Sequence, residues 1–303
     1  KICRRTPLGA VKLPPYYPDH PDIRRDWAAY LDSVRMTDVM VGEVIARLKR
    51  EGVLENTLVI FMTDHGISHA RGKQFLYDEG IHVPLVIAGP SVKAGAVRHD
   101  LVEHIDIAAL SLAAAQIGVP DYMQARDILA KDYQPRAAVF SARDRCDETV
   151  DHLRSVRSTR YKYIRNFLPA RPHLQPCAYK DAKAILQALR AWHTARKLND
   201  TQQLLFQPTR PQEELYDLAN DPHEINNLAR DPKHAAMLMT MRGQLDQWMQ
   251  KTGDHGRRPE PARMYDSDMA LYLDKVKRKG DAAHLKTLQD NIAQMKRWAK
   301  EGK

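Results

Sequence analysis

Leu58-Val-Ile-Phe-Met-Thr-Asp-His-Gly66, continued by Ile67-Ser-His-Ala-Arg-Gly-Lys73 and by Leu76-Tyr-Asp-Glu-Gly-Ile-His-Val-Pro-Leu-Val-Ile-Ala-Gly89, is the stretch around which the chain is organised. The apolar run from Leu58 to Met62 predicts a strand buried on both faces. It ends at Thr63, where Gly66 can turn the chain sharply and leave Asp64 and His65 at the carboxyl end of the strand. Chemistry in open α/β sheets sits outside that end. A carboxylate beside an imidazole can hold a metal or work as an acid/base pair, and Arg71 and Lys73 in the following loop suit an anionic substrate.

Upstream, Thr6 to Pro21 is proline-rich and reads as an extended surface segment. A helix is predicted from about Ile23 to Glu51, because Trp27, Leu31, Val34, Val41, Ile45 and Leu48 make one apolar stripe, with Asp38 at its centre. An unpaired buried carboxylate is costly, so Asp38 is expected to bond a neighbouring amide or an arginine. Downstream, Pro84 to Gly89 reads as a second buried strand and His104 to Ile117 as a helix, and the order helix, strand, loop, strand, helix is that of a layered α/β sandwich. From Arg136 the texture changes. Ala137–Ser141, His152–Arg157 and Tyr161–Asn166 alternate as antiparallel strands with one polar face, forming a smaller sheet. Helices are expected over Ala178–Leu198, Pro232–Thr252 and Ala282–Lys300, a strand over Glu214–Leu218, and a turn at Asn220–Glu224 that opens a helix over Glu224–Ala229. The expected division is residues 1–135 for the catalytic α/β part and 136–303 for a C-terminal subdomain with antiparallel strands and a helical tail.

The 303 residues are 43% hydrophobic, enough for a sizeable core, and Lys plus Arg exceed Asp plus Glu by 47 − 38 = 9. The excess is spread along the chain without a basic block or a zinc-finger spacing, which argues against a dedicated nucleic-acid binder. No apolar run reaches the roughly 20 residues of a spanning helix. Cys3, Cys146 and Cys177 define neither a disulfide framework nor a zinc knuckle. The chain begins at Lys1 rather than Met, and its first residues are not a signal peptide; this fits a piece of a longer protein, or a processed one, at least as well as a complete product.

Leu54-Glu-Asn-Thr-Leu-Val-Ile-Phe-Met-Thr-Asp-His-Gly66, Gly72-Lys73, Tyr77-Asp-Glu-Gly80 and Val83-Pro-Leu-Val-Ile87 together resemble the second half of a sulfatase, a family of the alkaline-phosphatase superfamily. Glu214-Leu-Tyr-Asp-Leu-Ala-Asn-Asp-Pro-His-Glu-Ile-Asn-Asn-Leu228 is similar to that family's C-terminal subdomain signature. The nearer likeness is to bacterial sulfatases of the heparan-sulfatase or N-sulfoglucosamine sulfohydrolase kind. The resemblance implies an alkaline-phosphatase-type α/β layered sandwich, its N-terminal half absent here, with a smaller C-terminal antiparallel sheet and helices. It implies hydrolysis of a sulfate ester, and a sulfated saccharide as substrate in glycosaminoglycan degradation. It also implies one divalent cation, usually Ca2+, with Mg2+ or Mn2+ as alternatives, and action in the periplasm, outside the cell or in lysosomes.

Carried over by position, Asp64 and His65 match the family's metal-binding pair after the central strand. Asp64 is a hard-oxygen ligand; His65, unusual for calcium, could instead donate a hydrogen bond to the sulfate or its leaving oxygen. Lys73 matches the family's sulfate-contacting cation, a group that sulfuryl transfer needs because charge on equatorial oxygens must be stabilised. His69 and Arg71 share its loop and read equally as substrate-binding groups or as surface charges. His82 reads as a packed histidine, and Arg143, Arg145 and Asp147 as solvated strand ends that could border a saccharide pocket. The family's formylglycine nucleophile needs a Cys/Ser-x-Pro/Ala-x-Arg string, and no cysteine or serine here fits one. Ser68-His-Ala-Arg-Gly is the nearest miss. The nucleophile and two further acidic ligands are therefore expected upstream of Lys1, and this fragment alone should be inactive. The alternatives are a phosphatase or phosphodiesterase of the same superfamily, an inactive glycan-binding module, and an unrelated α/β domain.

Overall fold

A computed structural model describes residues 5–256 and 258–303; Cys3 lies outside the described residues. The first element is the long helix α1, Pro21–Arg50. Its start is set by Pro21 at the first position and by the His20 ring, which accepts a hydrogen bond from the Asp22 amide at 3.1 Å. Arg47, Lys49 and Arg50 complement its negative end. Strand β1 (Val59–Met62), the single-turn helix α2 (Asp78–Ile81), strand β2 (Leu85–Ala88) and helix α3 (Asp106–Ala114) complete the first half.

The second half is built on strands β3 (Val139–Cys146), β4 (Thr149–Arg157) and β5 (Tyr161–Asn166), then helices α4 (Ala178–Asp181), α5 (Ala184–Thr194) and α6 (Asp200–Gln203), and strand β6 (Glu213–Asp217). Helices α7 (Ala235–Thr252), α8 (Ala262–Arg278) and α9 (Ala282–Lys300) close the chain. Strands β3-β4-β5-β6 make one antiparallel sheet in chain order, with a register shift between Arg143 and Arg145. Its Val156, Tyr163 and Leu215 pack under Leu238, Met241, Leu245 and Met249 of α7. On the other side Leu153, Ile164 and Tyr216 pack against Phe75, Leu76 and Tyr77 of the loop after β1.

Several expectations change at this point. β4 and β5 are buried on both faces rather than one, and Arg154, Lys162 and Asp151 lie inside. Buried charges persist only when paired, and these are: Arg210 grips Asp151 with two bonds of 2.8 Å, and Arg154 bonds Asp254 at 2.7 and 3.0 Å. The segment before α1 is largely surface, as expected, but Thr6, Val11 and residues 16–18 are buried. Tyr16, Tyr17 and Ile23 join Leu174, Ile185, Leu186, Leu189 and Leu205 in one core, which thus draws on residues from both sides of position 135. No helix forms over Glu224–Ala229, because the Asp221 carboxylate takes the Ile225 and Asn226 amides at 2.8 and 2.7 Å and holds a turn. Helix α8 was not anticipated. Its Tyr265, Met269 and Val276 pack on Leu288, Ile292 and Met295 of α9, but charges between them dilute the stripe.

The expectation that β1 is buried on both faces also fails. β1 pairs with β2 in an antiparallel ladder of two strands, all four β1 residues are only half-buried, and Val86 on β2 is 59% exposed. Along α1 only Ile23 and Ala28 are buried; of the expected stripe Val34 is exposed and Val41, Ile45 and Leu48 are half-buried, and Asp38 faces solvent, so it needs no buried partner. Val34, Met36, Val39, Met40 and Val44 are all exposed within about three turns of one helix.

Candidate active site

Glycine geometry builds the site. The loop from Gly66 to Gly80 folds so tightly on itself that a Cβ on Gly66 would lie 1.8 Å from the Glu79 carbonyl oxygen, and one on Gly72 would lie 1.9 Å from that of Ile67. The contacts that demand this are backbone bonds: the Gly66 amide donates to the Gly80 carbonyl at 2.9 Å and the Lys73 amide to the Ile67 carbonyl at 2.8 Å. The second bond closes residues 67–73 into a loop with a narrow neck and brings Lys73 back to Ile67.

Asp64, His65 and Lys73 all line one broad open hollow, together with Gln74, His104, Arg143 and Asp144. The Asp64 side chain is 87% exposed, and its Oδ2 stands 3.6 Å from Nε2 of the half-exposed His65. His65 Nδ1 lies 2.7 Å from the carbonyl oxygen of Gly66. A carbonyl only accepts, so Nδ1 carries a proton, which leaves Nε2, on the Asp64 side, as the ring nitrogen able to ligate a metal when it is unprotonated. Among the described residues, no group of three or more His, Cys, Asp and Glu side chains is arranged to hold a metal ion. Asp64 and His65 thus offer two side chains, whereas calcium takes 6–8 oxygen ligands.

His69 and Arg71, expected as substrate-binding groups, point inward instead. The His69 side chain meets Asp26 of α1 at 3.3 Å, with the rings of Tyr17, Trp27 and Tyr30 around it. The guanidinium of Arg71 donates to the carbonyls of His223 and Glu224 and lies over the ring faces of Tyr77, at 3.7 Å, and Tyr16, at 4.8 Å. Both residues are over nine-tenths buried, so neither reaches a ligand in the hollow. Arg71 instead clamps the loop after β1 onto the turn after β6.

The remaining charges around the loop are structural too. Burial alone would raise the Asp78 carboxyl, but bonds from His82, Lys162 and Arg157 outweigh it and hold the group well below the usual range. His82 is exposed rather than packed, and meets Asp78 at 3.4 Å. Arg143 is not solvated: it is buried against Asp151 at 3.2 Å and donates to the Gln74 carbonyl at 2.5 Å. Arg145 pairs with Glu260 at 2.7 Å and with Asp268.

Sequence reasoning overlooked the buttress on α4 and α5. Lys180, buried, donates to the carbonyls of His69 at 3.0 Å and Lys73 at 2.5 Å, and Lys183 donates to that of Ser68 at 2.6 Å. Tyr179 Oη lies 3.0 Å from Ser68 Oγ. His104 likewise bonds the Thr63 carbonyl at 3.0 Å, bracing the strand end. The run Tyr179-Lys-Asp-Ala-Lys183 is the only hint of this in the sequence, and it does not say which loop it faces.

Comparison with known proteins agrees in both halves of the chain. Residues 10–117 match the sulfatase family, and residues 65–171 match the C-terminal part of N-sulphoglucosamine sulphohydrolase. An ulvan-active sulfatase of Formosa agariphila is 33% identical over 250 residues, covering 82% of this chain and 42% of that protein. The N-sulphoglucosamine sulphohydrolase of Homo sapiens is 30% identical over 258 residues, covering 80% and 51%. The solved structure of a 2-O GAG sulfatase shares the fold with a TM-score of 0.59 at 23% identity, over 79% of this chain and 47% of that one. The chain spans about half the length of the curated relatives it matches.

Proposed function

Because this chain belongs to the sulfatase family, we propose that it is the C-terminal portion of a sulfuric ester hydrolase that removes sulfate from a sulfated saccharide. The observation that supports the proposal is that an exposed carboxylate, an imidazole and a lysine all line one broad hollow, beside a loop that only glycines can close.

In this proposal Asp64 and His65 contribute two ligands to a divalent cation, with Ca2+ first in line. The remaining ligands and the formylglycine would come from polypeptide packed on the bare faces of α1 and of the β1–β2 ladder. The cation, when bound, would neutralise charge on the sulfuryl oxygens. Lys73 does the same from this chain, as an ammonium directed at the sulfate. Where His65 is not a ligand, an Nε2–H would instead donate a hydrogen bond to the sulfate or to its leaving oxygen. Ulvan and N-sulfoglucosamine, named in the relatives, indicate a sugar sulfate rather than a simple aryl ester as the natural substrate. Export to the periplasm or the cell exterior goes with such a polymer; among the described residues no helix is long and apolar enough to cross a membrane.

The test uses protein expressed from the complete reading frame, with matched sulfate and phosphate esters of one sugar. The proposal expects release of sulfate to dominate, to stop with a chelator and to return with Ca2+. Faster release of phosphate would instead assign the phosphatase alternative, and binding of the sugar without turnover the glycan-binding one.

A further inference from the structure

Lys73, which lines the hollow, shares an aromatic ring with a second lysine. Its ammonium lies 5.3 Å from the ring centre of Tyr179, and the ammonium of Lys183 lies 4.7 Å from the same ring. The two nitrogens are therefore no more than about 10 Å apart, the two distances laid end to end. Tyr179 is 43% exposed, yet it is fixed: its hydroxyl meets Ser68, and it projects from α4, which Lys180 ties to the Lys73 carbonyl. Lys183 uses one N–H on the Ser68 carbonyl and, being half-exposed, keeps others for a ligand.

We propose that Tyr179 and Lys183 form a second anion subsite beside Lys73, which recognises a sulfate or carboxylate on the sugar next to the one being desulfated.

The proposal rests on the sulfatase reading and adds to it a substrate class: saccharides with anionic groups on adjacent residues rather than singly charged esters. The phenol of Tyr179 titrates below its ordinary range, first through its bond to Ser68 and then through Lys183 and Lys73, as befits a pocket of positive potential. The ring has its own task. It keeps two like charges apart at a set spacing and offers each a cation–π partner, so that both remain ordered before substrate arrives. A pre-ordered pair loses less side-chain entropy on binding than two free surface lysines would.

The experiment compares kcat/KM of the protein from the complete reading frame on two disaccharides, one with and one without an anionic group on the sugar beside the sulfated one. The wild type is expected to prefer the first. Lys183→Gln should cut that preference by about fivefold to tenfold, the size of one part-exposed charged contact, and Lys183→Arg should restore most of it. Lys73→Ala should instead depress both substrates together. An unchanged ratio in Lys183→Gln, or equal losses on both substrates, overturns the subsite. If neither ester is hydrolysed, the sulfatase reading fails separately. The same ratio is then read as dissociation constants by calorimetry, where its collapse in Lys183→Gln upholds the subsite and its persistence overturns it.

Discussion

Arg71 separates a clamp from a substrate contact. Arg71→Ala removes a buried guanidinium that donates to two carbonyls, His223 and Glu224, and fills the gap between Tyr16 and Tyr77. A hydrogen bond from a charged donor is worth about 1.5–3 kcal/mol, and the orphaned Glu224 carbonyl stays buried in the truncated variant. Lost packing against the two rings adds to this, so a total of about 3–5 kcal/mol is expected. Urea unfolding followed by fluorescence measures it directly, as a lower midpoint at unchanged slope. Arg71→Lys should recover only part of the loss, because a compact ammonium lacks the planar fork of the guanidinium and its stacking on the rings of Tyr77 and Tyr16. A shift under about 1 kcal/mol combined with a loss of substrate affinity would refute the inward assignment and return Arg71 to the substrate.

Gly66→Ala should cost about 2–3 kcal/mol and loosen the loop, because its Cβ would collide with the Glu79 carbonyl; the same urea assay reads it, and an unchanged midpoint would contradict the glycine neck. Asp151 titrates at about 2: burial would raise it, but Arg210 and Arg143 prevail. Its folded pKa lies below the ordinary value of 3.8, so its stabilisation is complete above pH 4 and lost as pH falls towards 2. About 2 kcal/mol should vanish across that window, and Asp151→Asn should flatten it while lowering stability at neutral pH by about 3–5 kcal/mol through two uncompensated arginines. Lys180 is the opposite case. Burial, then Arg143, lowers it to about 7, so the unfolded chain binds the extra proton between pH 7 and 10 and stability should rise across that range. The two bonds that Lys180 makes survive deprotonation, since a neutral amine keeps two N–H groups. Lys180→Met should remove the rise in a pH series of melting curves.

What the sequence disclosed follows from what its signals physically are. Apolar periodicity gave α1 within two residues at its start, and the alternation of residues 152–166 gave β4 and β5, because burial of one element against any neighbour leaves that trace. The stretch from Leu58 to Gly66 located the strand end and its carboxylate for the same reason. The same periodicity cannot say what covers a face, so the stripe of α1 and the strand β1 were assigned a core that this chain does not provide. Side-chain direction was equally hidden. His69, Arg71 and Lys73 alternate along one loop, and only its closure at Ile67 and Gly72 turns the first two into the interior and leaves the third at the hollow. Arg71 and Glu224 lie over 150 positions apart in sequence, and no local pattern foretells such a partnership. Tyr179 and Lys183 escaped notice likewise, being brought to Lys73 by the packing of α4 rather than by any spacing.

The central claim is that Lys73 stabilises negative charge on a sulfate held at the end of β1. It is tested most directly by kcat/KM for a sulfated saccharide with Lys73→Ala in the protein from the complete reading frame, alongside its urea midpoint. A fall on the order of a hundredfold or more at an unchanged midpoint is the expected result. A rate within twofold of the wild type would contradict it.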